Sequence, residues 1–263
     1  MNSLVKNNTW TLVNRQENKE ILDVKWVYKR KPGNVFKARL VVRGFQQKDS
    51  IDDTYSPVVK MQTLKLLLSY SCQYSLNIHQ MDVETAFLNG NVLSEVYVKQ
   101  PQGYNYVSNR VCKLNKALYG LKESPRAWYE CFNDYIESLG FRRSKYDYCL
   151  YVKAENSVTV YILLFVDDLL ICCKDLQVIN DIKKQLHNKF KMKDLDEVKN
   201  YIGIDIEYDF KKCNTLTMSQ KNYIESLAKL YNIENSKLYN TPMEINLKLN
   251  KSNLNENVKY IEI

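Results

Sequence analysis

The run Val158-Thr-Val-Tyr-Ile-Leu-Leu-Phe-Val166, the pair Asp167-Asp168 and the run Leu169-Leu-Ile-Cys-Cys173 constrain this chain more than any other feature. Each apolar run has the length and the β-branched and aromatic content of a buried strand. Both are far short of the about 20 residues that a membrane-spanning helix needs. Two such strands joined directly form a tight hairpin with two carboxylates at its tip. Adjacent like charges raise each other's pKa unless a cation neutralises them. The tip is therefore either a solvated turn, where Asp is common, or a place that holds a divalent cation.

A third acid bears on that choice. Asp82 ends a second apolar strand in Ile78-His-Gln-Met-Asp82-Val-Glu-Thr-Ala-Phe-Leu-Asn-Gly90. Glu84 is a rival in the same segment, but side-chain alternation places it one pleat further on, past the expected strand end. Magnesium favours hard carboxylate oxygens and keeps phosphates and water as its remaining ligands. Three strand-end acids in one cleft would suit two such ions acting on an in-line displacement at phosphorus.

Composition narrows the classes. The 263 residues, 45% hydrophobic and 26% charged, allow one large domain or two modest ones and exclude a mostly disordered chain. The net charge of +8 suits a polyanionic partner, because Lys and Arg contacts to phosphate release condensed counterions. Seven cysteines with no Cys-x-x-Cys pair, and only His79 and His187, leave no zinc-ligand spacing. The beginning, MNSLVKNNTW, lacks an apolar signal region, and a reducing intracellular setting is expected. The Asn- and Lys-rich stretch Asn246 to Lys259 is expected to be poorly ordered.

Further elements follow from periodicity. Val24 to Arg30 and Val35 to Arg43 read as a hairpin across Lys31-Pro-Gly-Asn34. On its return strand Phe36, Ala38, Leu40 and Val42 share one face, and Lys37, Arg39 and Arg43 the other. No acid occurs from Val24 to Lys48. That basic face is either phosphate-facing or a solvated edge protected by charge. Helices are expected over Met61 to Cys72, from an N-cap at Ser124 with Pro125 first in the helix to a left-handed Gly140, over Leu176 to Phe190, and from Ser219 through Tyr231. A strand Leu76 to Val83 and a strand Tyr201 to Tyr208, with Gly203 inside it, complete an irregular mixture that predicts an α+β fold.

Several blocks in order carry a family resemblance: Lys25-Trp-Val-Tyr-Lys29, Lys37-Ala-Arg-Leu-Val-Val-Arg-Gly-Phe45, Tyr55-Ser-Pro-Val58, Gln80-Met-Asp-Val-Glu-Thr-Ala-Phe-Leu-Asn-Gly90, Lys116-Ala-Leu-Tyr-Gly-Leu-Lys-Glu-Ser-Pro-Arg-Ala-Trp128, Phe165-Val-Asp-Asp168 and Met192-Lys-Asp-Leu195. From Asn8-Thr-Trp10 to Thr241-Pro-Met243 the chain resembles copia-type retrotransposon reverse transcriptases. Mild departures are Phe165 where the family often has Tyr, and Ser50-Ile-Asp52-Asp53 in place of a glycine-containing turn.

The resemblance implies a right-hand polymerase. Its fingers would be residues 1–75 and 92–123, its ferredoxin-like palm 76–91 and 124–210, and a partial thumb and tail 211–263. It implies RNA- and DNA-templated DNA synthesis with two magnesium ions, manganese being an alternative. Asp82 and Asp167 would be the main metal ligands, joined by Asp168 and the Val83 carbonyl. Lys37 and Arg39 would grip the triphosphate, Phe87 would be the steric gate against ribose, and Tyr119 and Gly120 would lie under the templating base. Tyr201, Ile202 and Gly203 would be the primer grip, and Lys193 a proton donor to pyrophosphate.

Expected partners are an RNA or DNA template with its primer and deoxynucleoside triphosphates. Integrase and RNase H would be further parts of the same polyprotein, and no membrane is involved. The expected setting is cytoplasmic, in a virus-like particle, with a nuclear phase. Three other readings stay open: an inactive truncated remnant, a co-opted nucleic-acid-binding protein, and a two-metal nuclease.

Overall fold

The apolar runs that dominate the sequence become the middle of a sheet. The computed structural model describes residues 1–48, 54–104, 106–155, 157–209, 215–236 and 240–241. The expectations for Ser50 to Asp53, Pro242-Met243 and Asn246 to Lys259 lie outside them. A short helix α1 (Asn2–Lys6) precedes strands β1 (Trp10–Asn14) and β2 (Ile21–Leu22), and then comes the hairpin β3 (Val24–Lys31) and β4 (Val35–Val42). Helix α2 (Met61–Gln73) leads into β5 (Asn77–Val83), and after a 3-10 turn at Ala86–Asn89 come β6 (Tyr97–Val98) and β7 (Arg110–Leu114). Helix α3 (Ser124–Ser138) is followed by β8 (Arg142–Arg143), β9 (Leu150–Glu155), β10 (Val158–Phe165) and β11 (Asp168–Cys173). The rest is α4 (Leu176–Lys189), β12 (Met192–Glu197), β13 (Asn200–Tyr201), β14 (Ile204–Asp209), β15 (Thr215–Ser219) and α5 (Lys221–Leu230). The α+β class read from the sequence is the one observed.

Six strands form the largest sheet, in the order β12-β5-β11-β10-β9-β8. Every residue from Leu169 to Cys173 in β11 is buried, so that strand is covered on both faces and reads as a continuous apolar run. Leu64, Leu67, Leu68 and Ser71 are the buried face of α2, as the three- and four-residue spacing predicts. The leucines of that face join Trp128, Phe132 and Ile136 of α3 and Ile179, Ile182 and Leu186 of α4 in one core with the sheet. Burying one such leucine stabilises the fold by about 2 kcal/mol. A second core lies under the sheet β1-β7-β6-β2 and takes in Leu40 and Val42 of the hairpin.

Four details differ from the sequence reading. The apolar side of β4 is buried only at its base, because Phe36 near the tip is 79% exposed. Ser124 does not cap α3: the N-cap is Glu123, without a side-chain cap bond, and the Ser124 hydroxyl donates to the Leu118 carbonyl. The stretch Tyr201 to Tyr208 is not one strand but a tight hairpin, turning at Ile202 and Gly203, both with positive φ (54° and 73°). Helix α5 begins at Lys221, two residues after Ser219, and buries none of its residues.

Residues Met1–Ser219 form one compact unit and Gln220–Ile263 another. Cys112, Cys131, Cys149, Cys172 and Cys173 are free thiols. Among the described residues no helix is long and apolar enough to cross a membrane.

A polar network ties α4 to the sheet. Lys183, buried on α4, donates to His79 Nδ1 at 2.7 Å and to Asp194 at 2.6 Å. Burial holds His79 below its ordinary pKa, and the Lys183 charge adds to this, against the pull of Asp194, Glu197 and Asp196. Lys183→Met should therefore cost about 2 kcal/mol in urea unfolding, and an unchanged midpoint would show the network to be idle. Folded His79 binds a proton less readily than the unfolded chain does. Its contribution should be complete above pH 6.5 and fall away below it. Urea midpoints across pH 7.5 to 5.5 should show that decline, and His79→Gln should flatten it.

Candidate active site

Strand register, not sequence proximity, assembles the acids. In the β10–β11 hairpin Phe165 pairs with Asp168, so Val166 and Asp167 form the turn. The antiparallel pairing of β11 with β5 sets Asp168 directly opposite Asp82. The Val83 amide donates to the Asp167 carbonyl at 2.7 Å, which fastens the turn to the end of β5. All three acids are half-buried, whereas Glu84 is exposed and is ion-paired with Lys191.

The electrostatics are those of a site short of positive charge. Asp167 Oδ1 is buried with no hydrogen-bond partner, and Oδ2 is 3.4 Å from the Tyr119 hydroxyl. Burial pushes the Asp167 carboxyl above the usual carboxylate range, and the Asp82 charge adds to it. Lys37, the Tyr119 hydroxyl and Arg39 pull the other way. Burial also raises Asp168, where a bond from Gln80 opposes the rise and Asp82 reinforces it. That bond, Gln80 Nε2 to Asp168 Oδ1, measures 3.3 Å.

An orphaned, buried carboxylate oxygen beside two more carboxylates fits a divalent cation. Among the described residues no group of three or more His, Cys, Asp or Glu side chains is placed to hold a metal ion.

The basic strand faces these acids. Lys37 and Arg39 lie on β4, and the Arg39 guanidinium sits 5.1 Å from the centre of the Tyr119 ring. Its Nε is buried and unbonded. The hairpin is fixed by backbone contact: the Val42 amide donates to the Tyr119 carbonyl at 2.8 Å. Gly120 has φ 94°, and a Cβ there would stand 2.0 Å from the Val42 carbonyl oxygen. Only glycine allows that approach. Phe87, in the 3-10 turn after β5, is buried, and its ring centre lies 4.5 Å from that of Tyr119.

The remaining predicted residues divide. Lys193 is exposed and stands across from Asp82 in the β12–β5 ladder. Tyr201 is fully buried, its hydroxyl 3.4 Å from the carbonyls of both Leu163 and Asp168. It anchors the β13–β14 hairpin against β10 and β11, while Ile202 and Gly203 form the turn. Two further residues were missed in the sequence. Gln80 sits two residues before Asp82, hence on the same face of β5, and a polar residue in that apolar strand was the available signal. Trp128 counted only as an apolar helix position, although a buried indole N–H needs an acceptor. It finds one in the Val166 carbonyl, at 2.7 Å.

Residues 7–245 match the family described as reverse transcriptase (RNA-dependent DNA polymerase). The chain is 41% identical to the retrovirus-related Pol polyprotein from transposon TNT 1-94 of Nicotiana tabacum, over 95% of this chain and 20% of that protein. It is 36% identical to the Pol polyprotein from transposon RE1 of Arabidopsis thaliana, over 95% and 18%. A foamy viral protease–reverse transcriptase solved in complex with double-stranded DNA superposes with a TM-score of 0.45 and 13% identity, over 88% of this chain and 37% of that one. The chain thus spans about a fifth of the length of the two plant Pol polyproteins. With its copia-type sequence blocks and a family match across residues 7–245, this chain belongs to the reverse transcriptase (RNA-dependent DNA polymerase) family.

Proposed function

We propose that this chain is the DNA-synthesising segment of a copia-type Pol polyprotein, extending a primer on an RNA or DNA template. The observation that carries the reading is Asp167, whose buried, unpartnered oxygen lies beside Asp82 and Asp168 and faces Lys37 and Arg39. Asp82 and Asp167 would hold two magnesium ions, or manganese in their place, with Asp168 and the Val83 carbonyl completing the protein's share. When bound, such ions activate an attacking hydroxyl and stabilise the charge of the leaving pyrophosphate.

The side chains do the positioning. Lys37 and Arg39 neutralise and orient the triphosphate of an incoming deoxynucleotide, which places its α-phosphate toward the primer 3′-hydroxyl. Phe87, held by Tyr119, closes the space a ribose 2′-hydroxyl would need. Tyr119 and Gly120 support the new base pair. Tyr201, Ile202 and Gly203 aim the primer end from a hairpin whose base is tied to the catalytic strands. Lys193, next to Asp82 across the ladder, supplies a proton to pyrophosphate.

In this reading residues 1–75 and 92–123 are fingers, 76–91 and 124–210 palm, and 211–263 a partial thumb and tail. Integrase and RNase H act as other parts of the same polyprotein, in a cytoplasmic virus-like particle with a nuclear phase. A two-metal nuclease is disfavoured by the Lys37 and Arg39 wall, which suits a triphosphate better than a water nucleophile.

Asp167→Asn should abolish magnesium-dependent primer extension while raising the urea midpoint in metal-free buffer, because it removes a buried like charge. A variant that extends primers as well as the parent would sink the assignment. Phe87→Val should raise incorporation of ribonucleotides relative to deoxynucleotides by about 10- to 100-fold. Single-nucleotide incorporation kinetics check this, and an unchanged ratio would leave Phe87 as core packing alone.

A further inference from the structure

Asp167 is delivered by a turn that its sequence should resist. Val166, the residue before it, has φ 53°. In this left-handed region a β-branched side chain is strained, and the strain persists only where the surroundings enforce it. Glycine would adopt the same turn freely. Packing over the turn does not supply the restraint, because Val166 is 38% exposed and a cavity of about 350 Å³ borders Val166, Trp128 and Phe87.

Hydrogen bonds to two consecutive carbonyls do supply it. The Asp167 carbonyl accepts from the Val83 amide at 2.7 Å. The Val166 carbonyl accepts from the indole N–H of Trp128, also at 2.7 Å. Trp128 cannot swing away: it is 1% exposed and lies edge-on to Phe190 at 5.2 Å and against Phe132 at 5.6 Å. Its helix is seated as closely. A Cβ on Gly90 would come within 2.8 Å of the Trp128 amide nitrogen, so the backbones touch there. The indole is thus a rigid donor mounted on α3 and aimed at the one strained peptide of the catalytic hairpin.

We propose that Trp128 is a positioning residue: its indole N–H locks Val166 in the left-handed conformation and thereby sets where the Asp167 carboxylate points. Trp128, 1% exposed, offers almost no surface to a ligand and acts through the turn. Its importance for synthesis rests on the reading of Asp167 as catalytic, whereas the lock itself is a property of the fold and can be measured without turnover.

The test compares the parent chain with Trp128→Phe, Val166→Gly and the double variant. Phenylalanine keeps an aromatic ring in the core and removes the donor. Amide exchange at Val83, whose N–H is bonded to the turn, should quicken about tenfold in Trp128→Phe, the loss expected for one short hydrogen bond. In the Val166→Gly background the same substitution should have a much smaller effect, because glycine needs no lock.

Primer extension should show kcat lowered by about 10- to 100-fold with KM for deoxynucleotide nearly unchanged, and Val166→Gly should recover part of the loss. Equal effects of Trp128→Phe in both backgrounds, or unaltered Val83 exchange, would reduce Trp128 to a core aromatic and overturn the proposal. If the phenylalanine variant fails to fold, replacing Trp128 by benzothienylalanine removes the N–H at constant ring size and is judged by the same readouts. A parent chain that extends no primer, yet shows the background-dependent exchange, would refute the polymerase reading and leave the lock standing.

Discussion

The antiparallel register between β5 and β11 is the constraint around which the site is built. It sets Asp82 against Asp168, and the hairpin turn brings Asp167 beside them, so three carboxylates share a half-buried place where like charges repel. A sheet whose central strand β11 is buried from Leu169 to Cys173 can tolerate that arrangement because its stability comes from elsewhere, from the apolar residues of β10 and β11 and the helices packed with them. The surrounding polar groups relieve the repulsion only in part. Gln80 bonds to Asp168, the Tyr119 hydroxyl approaches Asp167, and Lys37 and Arg39 offset its charge. What remains is one buried oxygen without a partner, on a carboxyl whose charge Lys37 and Arg39 offset.

That wall depends on a steric fit. The hairpin carrying Lys37 and Arg39 is a separate two-stranded sheet, and its outer half exposes Tyr28, Val35 and Phe36. Its position relative to the acids is set at its base. There Gly44 and Gly120 bring two backbones into contact, and a Cβ on Gly44 would stand 1.9 Å from the Gly120 carbonyl oxygen. Tyr119, next in sequence, turns toward Asp167 and packs between Arg39 and Phe87. One short segment therefore couples the basic strand, the Phe87 ring and Asp167. Side-chain chemistry accounts for what these groups can do, while two glycines account for their being near each other.

Much of this was legible in the sequence where periodicity or turn chemistry is strong. The burial of Leu64, Leu67 and Leu68, the hairpin across Pro32-Gly33, the acids at strand ends and the left-handed Gly140 all follow from local rules. The failures have specific physical causes. Ser124 has the chemistry of a cap, but a buried carbonyl at Leu118 takes its hydroxyl instead. Gly203 read as an interruption within a strand because Ile202, a β-branched residue, gave no warning that it too would adopt positive φ. Strand β12 went unread because Met-Lys-Asp-Leu-Asp-Glu has no apolar alternation; its register breaks between Asp194 and Glu197, and Lys183 holds it from α4. Trp128 and Gln80 act through single hydrogen bonds to distant residues, and such partners cannot be read from spacing along a chain.

Strained and buried polar residues also occur beside the three acids. Val166 and Thr85, neither of them glycine, sit in the left-handed region just before Asp167 and just after β5. His79, Gln80 and Lys183 place polar groups inside or against the strands that carry Asp82 and Asp168. A chain selected only for stability would replace these features with glycine turns and apolar packing. Their location is informative because a strained turn held by a rigid donor has one geometry, whereas a glycine turn has several. Loss of freedom at Val166 costs stability but limits the directions open to the neighbouring Asp167 carboxylate. The large apolar core is what makes such residues tolerable.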